Sequence, residues 1–391
     1  MNTTPCIILD NGGDTIKAGI GGEFRPRVVI PSVIGYEKSI NKVTNENLSS
    51  LPSSSFKPIN PSLSLDDSKA VCFGQAALDR SSELILNRPI QKGALINWDD
   101  MTQLWEHIFT SQLSLNTSEH TILSTVPPTT PKPLRERQLT LFFEYFNAPK
   151  VYITNGIALA LYGGSYNPSG IAVDTGYDHT MIVSINNFSM FRDSIRVIDL
   201  GGKHLTEYLG KLLERKGYKD IPFAILNDIK EKHCYCAEDP FTENDKVKEI
   251  TYKLPDGKEM KLKDELYEVG EVFEHPELVG KAMGGFAREL CNSIYYADKE
   301  KKKEICTDVV VTGGNNLVKG FLKRFTEEAK DCLSGRYEKR INIVDVPDRL
   351  YAQWIGASIC SYRPLFNTFC TTRQEYDEYG PSVMHCKPIM F

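Results

Sequence analysis

A glycine turn between two short apolar segments near the amino end limits the possible folds of this chain. Residues 7–9 are apolar and predict a short buried strand, which runs into Asp10 and the glycines Gly12 and Gly13. A second apolar segment follows at once, so the pattern is strand, tight turn, strand. Glycines let backbone N–H groups approach an anion closely, and Lys17 adds a positive charge. The stretch therefore predicts a phosphate-binding turn, with Asp10 placed to hold a hydrated divalent cation.

The same plan recurs further along the chain. Residues 170–185 repeat an apolar strand, then Asp174, one intervening residue, Gly176 and another apolar strand. A third glycine turn lies within residues 309–316 and again follows a buried strand. One such turn is weak evidence, because an ordinary hairpin looks similar. Two Asp-x-Gly hairpins favour a duplicated fold that holds a phosphate between its halves, and the strands and helices that alternate between them predict an α/β protein.

Length and composition narrow the class of protein. The 391 residues suggest two or more domains, and the net charge of -5 argues against a general nucleic-acid binder. The first residues are polar, so we expect no signal peptide, and no segment approaches the roughly 18 apolar residues of a membrane span. The ten cysteines are scattered without a Cys-x-x-Cys pair. They are typical of reduced thiols in a cytosolic or nuclear protein.

Ordered matches along almost the whole chain resemble actin and the actin-related proteins. These matches are Leu9-Asp-Asn-Gly, Asn97-Trp-Asp-Asp-Met, Asp228-Ile-Lys-Glu-Lys, Leu254-Pro-Asp-Gly, Thr312-Gly-Gly, Trp354-Ile-Gly and Gln374-Glu-Tyr-Asp-Glu-Tyr-Gly-Pro-Ser. The resemblance fails at residues 37–69, which are rich in Ser and Asn where the family has a flexible outer loop. A few extra residues, 388–391, follow the family's usual end.

The resemblance implies an actin-like ATPase fold, a duplicated two-domain α/β architecture with four subdomains around a nucleotide cleft. Subdomain 1, the large outer domain, would comprise residues 1–32, 89–164 and 351–391. Subdomain 2 would be a small insertion at residues 33–88. Subdomain 3, the large inner domain, would comprise residues 165–200 and 285–350, and subdomain 4 would be residues 201–284.

The resemblance also implies a site for ATP or ADP with Mg²⁺. By position, the two hairpin turns would hold the phosphates, a helix would contact the purine and ribose, and the third glycine turn would complete the site. The implied nucleotide-binding residues are Asp10, Asn11, Gly12, Gly13, Lys17, Asp174, Gly176, Asp178, Lys230, Glu231, Gly313, Gly314 and Asn315. Asp10 and Asp174 would bind the metal through water.

The chain departs from the family at positions near the nucleotide. Gly13 replaces a serine, Gly156 a glutamine, Tyr177 an aspartate, Met181 a histidine, Val318 a tyrosine and Leu350 a lysine. Gly156 and Met181 occupy the positions that align the attacking water, so no catalytic residue is assigned there. Because loss of one such group typically costs about 10²–10³ in rate, we expect hydrolysis to be weak or absent while binding persists. Asn155 or Asp178 moving in to replace the missing groups is the alternative.

Two non-enzymatic functions fit these features. The first is a divergent cytoskeletal actin-like protein in the cytoplasm, with actin, actin-related proteins and their binding proteins as partners. Its self-polymerisation would be weak, because the outer loop lacks an apolar tip beyond Phe56 and Ile59. The second is a structural subunit of a multi-subunit complex, either a nuclear chromatin remodeller or a dynactin-like assembly. Neither requires sequence-specific nucleic-acid binding or a membrane, and a phosphotransferase is disfavoured because the chain has no Walker A motif.

Overall fold

A computed structural model describes residues 5–38, 71–333, 341–344, 346 and 348–387. The predictions for the Ser- and Asn-rich loop and for residues 388–391 therefore fall outside the described residues, apart from the two loop positions at 37 and 38. Within the described part of the chain, no helix is both long and apolar enough to cross a membrane.

The first part of the chain, up to residue 169, contains ten strands and four α-helices among its described residues. The strands are β1 (Ile7–Asn11), β2 (Thr15–Ile20), β3 (Val28–Pro31), β4 (Ile34–Glu37), β5 (Val71–Phe73), β6 (Leu84–Asn87), β7 (Ile90–Gln91), β8 (Ala94–Leu95), β9 (Ile122–Val126) and β10 (Lys150–Asn155). The helices are α1 (Gln75–Asp79), α2 (Trp98–His107), α3 (Lys132–Glu144) and α4 (Gly156–Ser165). A π-helical turn, Ile108–Gln112, continues α2, and a 3₁₀ turn spans Thr117–Glu119.

The described residues from 170 onward contain nine strands and ten α-helices. The strands are β11 (Gly170–Thr175), β12 (Thr180–Asn186), β13 (Ser189–Met190), β14 (Arg196–Ile198), β15 (Ile250–Lys253), β16 (Glu259–Leu262), β17 (Asp308–Thr312), β18 (Asn342–Val344) and β19 (Thr371–Thr372). The helices are α5 (Gly202–Arg215), α6 (Phe223–His233), α7 (Pro240–Glu243), α8 (Glu265–Glu271), α9 (Phe286–Tyr296), α10 (Lys302–Ile305), α11 (Phe321–Cys332), α12 (Ala352–Ser361), α13 (Phe366–Phe369) and α14 (Arg373–Tyr379). Short 3₁₀ helices lie at Arg192–Ser194, Pro276–Val279, Gly314–Leu317, Arg349–Tyr351 and Pro381–His385.

Two large mixed sheets share one topology. In the first sheet, β1 pairs antiparallel with β2 and parallel with β9, β3 lies beyond β2, and β10 lies beyond β9. In the second sheet, β11 has the same arrangement with β12, β13, β17 and β18, and β14 also pairs with β12. This repeated topology agrees with the duplication that the two hairpins predict, and the mixed α/β content agrees with the predicted fold class. The division into four subdomains at the stated boundaries stays a prediction.

Each large sheet carries its own apolar core. The first core packs α2 and α3 against β1, β2 and β9, with Trp105 and Phe142 fully buried at its centre. The second core packs α5, α9 and α11 around β11 and β17, with Phe286 and Phe321 buried. Because both cores lie behind the strands that end in the glycine turns, they fix the position of those turns.

Helices α4 and α12 pack against each other between the two sheets. Helix α12 contacts β1 and β2 of the first sheet, whereas α4 contacts β11 and β17 of the second. A Cβ atom on Gly356 would lie 2.0 Å from the carbonyl oxygen of Leu159, and one on Gly163 would lie 2.5 Å from that of Ala352. The two helix backbones are therefore in direct contact, which only glycine permits at these positions.

Three local sequence patterns favour elements that the structure places differently: Asp99 as the N-cap of α2, a helix over residues 75–86 and a helix over residues 316–334. The first turn of α2 is capped by Asn97, whose Oδ1 accepts a hydrogen bond from the backbone N–H of Asp100 (3.1 Å), rather than by Asp99. The helix expected over residues 75–86 ends at Asp79, because β6 begins at Leu84 and pairs with β4. The helix expected from residue 316 begins at Phe321, after a separate 3₁₀ turn.

Candidate functional site

A cavity lies where the glycine turns of the two sheets face each other. Its volume is about 400 Å³, within the range of small-molecule sites. All thirteen residues that the sequence singles out as nucleotide-binding line it: Asp10, Asn11, Gly12, Gly13, Lys17, Asp174, Gly176, Asp178, Lys230, Glu231, Gly313, Gly314 and Asn315. The fold thus brings together four segments that are far apart in the chain, at residues 10–17, 174–178, 230–231 and 313–315.

The first hairpin presents a buried carboxylate beside an amine. Asp10 is paired with Lys17 across the β1–β2 hairpin, and Lys17 Nζ lies 3.8 Å from Asp10 Oδ2. Thr125, from the end of β9, donates a hydrogen bond to Asp10 Oδ1 (2.9 Å). Burial raises the pKa of the Asp10 carboxyl, and the charge of Asp174 raises it further, against the opposing effects of Lys17 and Thr125. The site therefore favours a positive charge close to Asp10.

Asn11 and Gly12 give the first turn its shape. The Asn11 side chain donates to Ser124 Oγ (2.9 Å) and accepts from Trp105 Nε1 (3.0 Å), so it anchors the turn to the first core. A Cβ atom on Gly12 would lie 2.6 Å from the carbonyl oxygen of Thr15, which leaves no room for a side chain there. The side-chain amide of Asn11 is thus already hydrogen-bonded within the protein. A ligand at this turn would contact backbone atoms.

The second hairpin holds Asp174 from two directions. Thr312 Oγ1, at the end of β17, donates to Asp174 Oδ1 (3.2 Å), and Gln353 Nε2, in the first turn of α12, donates to Asp174 Oδ2 (2.7 Å). Asp174 faces Met181 in the β11–β12 register, as Asp10 faces Lys17 in the first hairpin. Of these two corresponding positions, the first carries an amine and the second a thioether.

Asp178 connects the second hairpin to the first half of the molecule. Its carboxylate accepts hydrogen bonds from the backbone N–H of Lys92 and from His179 Nδ1 (2.8 Å), and it lies 3.6 Å from the place where a Cβ atom on Gly13 would be. Burial raises the pKa of Asp178, but the bonds from His179 and Lys92 outweigh it and lower the pKa overall. Asp178 therefore lies close to the first glycine turn, as an ionised group that is already hydrogen-bonded.

The third glycine turn packs directly on the second hairpin. Gly313 has φ +93, and a Cβ atom on it would lie 2.2 Å from the carbonyl oxygen of Thr175. The Asn315 amide donates to Thr175 Oγ1 (3.0 Å) and to the Gly176 carbonyl (2.6 Å). Only glycine combines this φ with this close approach. The packing of the turn on the second hairpin therefore requires glycine at position 313.

The far wall of the cavity contains a buried lysine. Lys230 is 5% exposed, and its Nζ donates to Asn227 Oδ1 (2.7 Å) and to the Gly202 carbonyl (3.3 Å). Burial lowers the pKa of this amine. Glu231 is exposed and accepts a hydrogen bond from Asn227 Nδ2 (2.8 Å). An ammonium group has three donors, so Lys230 keeps one for a ligand in the cavity.

A comparison with known protein families agrees with this arrangement. The family model described as Actin matches residues 1–223 and 222–388 of the chain. The chain belongs to the actin family. The actin family in general binds ATP or ADP with Mg²⁺, and the cavity lies between the two repeated hairpins of this family member.

The structure shows where the residues that differ from those of other actins lie relative to the cavity. Met181, Tyr177, Val318 and Leu350 all line the cavity. Asn155 Oδ1 accepts a hydrogen bond from Arg135 (3.1 Å), so the oxygen of this amide already has a partner. The space beside Gly156 is filled, because a Cβ atom there would lie 2.1 Å from Gln353 Oε1. Gly156 itself has no side chain, and the polar group in the space beside it belongs to Gln353.

The residues present fit a hydrated magnesium ion. Asp10 and Asp174 supply hard carboxylate oxygens on opposite hairpins, and Asp174 acts electrostatically on Asp10. The cavity lining contains the carboxylates Asp10, Asp14, Asp174, Asp178 and Glu231, but few amines. A polyphosphate would be repelled from such a surface unless a cation accompanied it.

Three functional contributors carry no strong signal of their own in the sequence. Thr125 and Thr312 lie at the ends of strands that run parallel to β1 and β11, and both donate to the hairpin carboxylates. Their place at the carboxyl ends of parallel strands is a signal that could have found them. Gln353 gave no such signal, because its position depends on how α12 crosses α4.

Proposed function

We propose that this actin-family protein binds ATP or ADP with Mg²⁺ in the central cavity and hydrolyses ATP weakly or not at all. It would act as a cytoskeletal actin-like protein in the cytoplasm, with actin-related proteins and their binding proteins as partners. The observation that carries the proposal is the convergence of thirteen family-matched residues from four segments on one cavity.

The electrostatics of the cavity support binding of a metal–nucleotide complex. Asp10 is buried with its charge only partly offset by Lys17 at 3.8 Å. A bound magnesium ion would supply positive charge to both the hairpin carboxylates and the phosphates. Lys17 and the glycine turns would contact the phosphates, while Lys230 would contact the purine or ribose.

The site retains more of the polar groups that bind a nucleotide than of those that promote its hydrolysis. Attack of water on a phosphate depends on positioning and charge stabilisation. Met181 is a buried thioether and offers neither a proton relay nor a strong acceptor. Gly156 has no side chain, and the neighbouring Gln353 amide is hydrogen-bonded to Asp174. These features favour slow turnover with retained binding.

Thermal melting with and without nucleotide tests the proposal. Saturating ATP or ADP with Mg²⁺ should raise the melting temperature of the full chain, because a ligand that binds only the folded state stabilises it. The double variant Asp10→Ala/Asp174→Ala should lose this increase. As a matched control, Asp193→Ala/Asp256→Ala removes two exposed carboxylates outside the cavity and should keep it.

An unchanged nucleotide-dependent increase in the Asp10→Ala/Asp174→Ala variant would refute binding through the two hairpins. Absence of any increase for the unmodified protein, with ATP and with ADP, would refute the function itself.

A second candidate is a structural subunit of a nuclear chromatin-remodelling or dynactin-like complex. It is favoured by the loss of the water-aligning side chains at Gly156 and Met181, since an immobilised subunit can use nucleotide as a structural ligand. Purification from the protein's own cells, with the partners identified, distinguishes the two. A stable complex of fixed stoichiometry favours the second candidate, and recovery with filaments favours the first.

A further inference from the structure

Gln353 occupies the space that a side chain at position 156 would take. Gly156 is the first residue of α4, and Gln353 lies in the first turn of α12. A Cβ atom built on Gly156 would lie 2.1 Å from Gln353 Oε1 and 3.1 Å from its Cδ. Thr125 Cβ, at 3.2 Å, bounds the same space on the other side. The polar side chain that occupies this space comes from α12.

The orientation of the Gln353 amide follows from its partner. A carboxylate can only accept hydrogen bonds, so the atom 2.7 Å from Asp174 Oδ2 must be the nitrogen. Thr312 donates to the other oxygen, Oδ1, at 3.2 Å. Asp174 is thus held at both oxygens by donors from separate elements, which fixes the plane of its carboxylate.

The backbone beneath Gln353 is also held firmly. Gly356, three residues further along α12, contacts the backbone of α4 directly at Leu159. Because the two helices cannot slide at such a contact without a clash, the distance between Gln353 and Gly156 is set by the crossing. Gln353 also lines the cavity together with Asp174.

We propose that Gln353 is a positioning residue of the metal–nucleotide site. Its amide orients the Asp174 carboxylate toward the position of the hydrated Mg²⁺, and so sets how long the metal–nucleotide complex stays bound. This inference rests on the proposed nucleotide-binding function and adds a residue to the site that the family match does not assign. It also means that Gly156 must remain without a side chain, since any such group would displace the amide.

The test measures dissociation of a fluorescent ATP analogue from the full chain. Gln353→Met keeps the length of the side chain but cannot donate to Asp174. We expect the analogue to leave about tenfold faster than from the unmodified protein in Mg²⁺, the effect of losing one hydrogen bond to a charged group. In EDTA the two proteins should release it at the same rate, because Asp174 then has no metal to bind.

A second variant disrupts the hydrogen bond between Gln353 and Asp174 through a substitution in α4. Gly156→Ala adds a methyl group that displaces the Gln353 amide, while the helical position itself favours alanine. It should accelerate release in Mg²⁺ by a similar factor. The double variant Gly156→Ala/Gln353→Met should release the analogue no faster than Gln353→Met alone, since both changes remove one interaction.

Ser358→Ala is the matched control on the same helix. Ser358 donates to the Glu23 carbonyl (2.7 Å) and accepts from the Gly22 N–H (2.9 Å), so its loss perturbs α12 without altering the cavity. It should leave the ratio of release rates in Mg²⁺ and EDTA unchanged. Melting curves without nucleotide show whether each variant is folded. If Gln353→Met does not fold, the release rates of Gly156→Ala in Mg²⁺ and EDTA test the proposal instead.

Equal acceleration of release by Gln353→Met in Mg²⁺ and in EDTA would overturn the positioning role, as would additive effects in the double variant. In both outcomes the unmodified protein still binds the analogue, so the proposed function stands. If the unmodified protein binds no analogue in Mg²⁺, the proposed function fails and the role of Gln353 fails with it.

Discussion

Gly163 and Gly356 lie at the crossing of α4 and α12, and neither position has room for a side chain. A Cβ atom on Gly163 would lie 2.7 Å from the backbone nitrogen of Gly356, and one on Gly356 would lie 2.0 Å from the Leu159 carbonyl oxygen. Since α4 packs on the second sheet and α12 on the first, this contact joins the two halves of the molecule. It also places Gln353 against Gly156 at the cavity.

The first prediction concerns this crossing. Gly356→Ala should lower the free energy of unfolding by about 1–3 kcal/mol, because the added methyl overlaps backbone atoms that cannot move aside. Chemical denaturation measures the change. Gly210→Ala in α5 is the control, since its added methyl meets only a terminal carbon of Leu226, at 3.1 Å, and alanine favours a helix. Equal stability of Gly356→Ala and the unmodified protein would show that the helices separate at little cost.

The second prediction concerns the link between Lys92 and Asp178. The β7–β8 turn has positive φ at both Lys92 (48) and Gly93 (74), and the Asp178 carboxylate accepts from the Lys92 N–H. Asp178→Ala should destabilise the protein by about 1–3 kcal/mol, the cost of losing hydrogen bonds to a charged group. Because the pKa of Asp178 is lowered, its contribution is present above the ordinary value of 3.8 and is lost as the pH falls below it.

Urea denaturation at pH 7 and at pH 3 checks this second prediction. The difference between Asp178→Ala and the unmodified protein should be large at pH 7 and smaller at pH 3. Asp193→Ala, at an exposed site, should show no difference at pH 7. A difference that is the same at both pH values would mean that the charge of Asp178 does not contribute.

The third prediction concerns Glu274, a carboxyl group inside the second half of the molecule. Burial raises its pKa to about 8, with Glu328 and Glu271 adding to the increase, while the Ala287 N–H (3.3 Å) and Arg324 oppose it. Its pKa in the unfolded chain is near 4.5. Between pH 4.5 and 8 the unfolded state therefore releases a proton that the folded state keeps. The stability contributed by Glu274 is complete below pH 4.5 and declines up to pH 8.

Glu274→Gln removes this dependence and keeps an acceptor for the Ala287 N–H. The stability of the unmodified protein relative to this variant should fall steadily from pH 5 to pH 8 and then level off, as measured by denaturation at each pH. Glu277→Gln, at a neighbouring exposed position, should show no such slope in that range. A constant difference between Glu274→Gln and the unmodified protein would contradict the raised pKa.

The fourth prediction is slow hydrolysis. In a single turnover, ATP bound to the unmodified protein should be cleaved at least about 100-fold more slowly than by a conventional actin, given the cost of one missing water-aligning group. Restoring the family residues needs three changes, Gly156→Gln, Met181→His and Gln353→Ala, because Gln353 fills the space beside Gly156. The triple variant should hydrolyse faster than Gln353→Ala alone. Hydrolysis by the unmodified protein at a conventional rate would contradict this account.

The two hairpins, the third glycine turn and the family could all be identified from the amino-acid sequence. Asp10, Asp174 and their glycines are identifiable because a short apolar strand, a carboxylate and a tight turn are local chemistry, readable within about ten residues. The buried face of α2, with Met101, Leu104 and Trp105, was predictable for the same reason, since its period is local. These features depend on residues that are close together in the chain. They can therefore be recognised from the sequence.

The groups that complete the site could be identified only from the packing of the folded chain. Gln353 lies next to Gly156 because two glycine-lined helices cross, and nothing within either helix encodes that distance. Asp178 is held by Lys92, 86 positions earlier in the chain, and so becomes part of the link between the halves rather than a free substitute for Tyr177. Such contacts arise where separate sheets and helices pack together. This packing depends on side chains from many segments, so no single segment of the sequence predicts it.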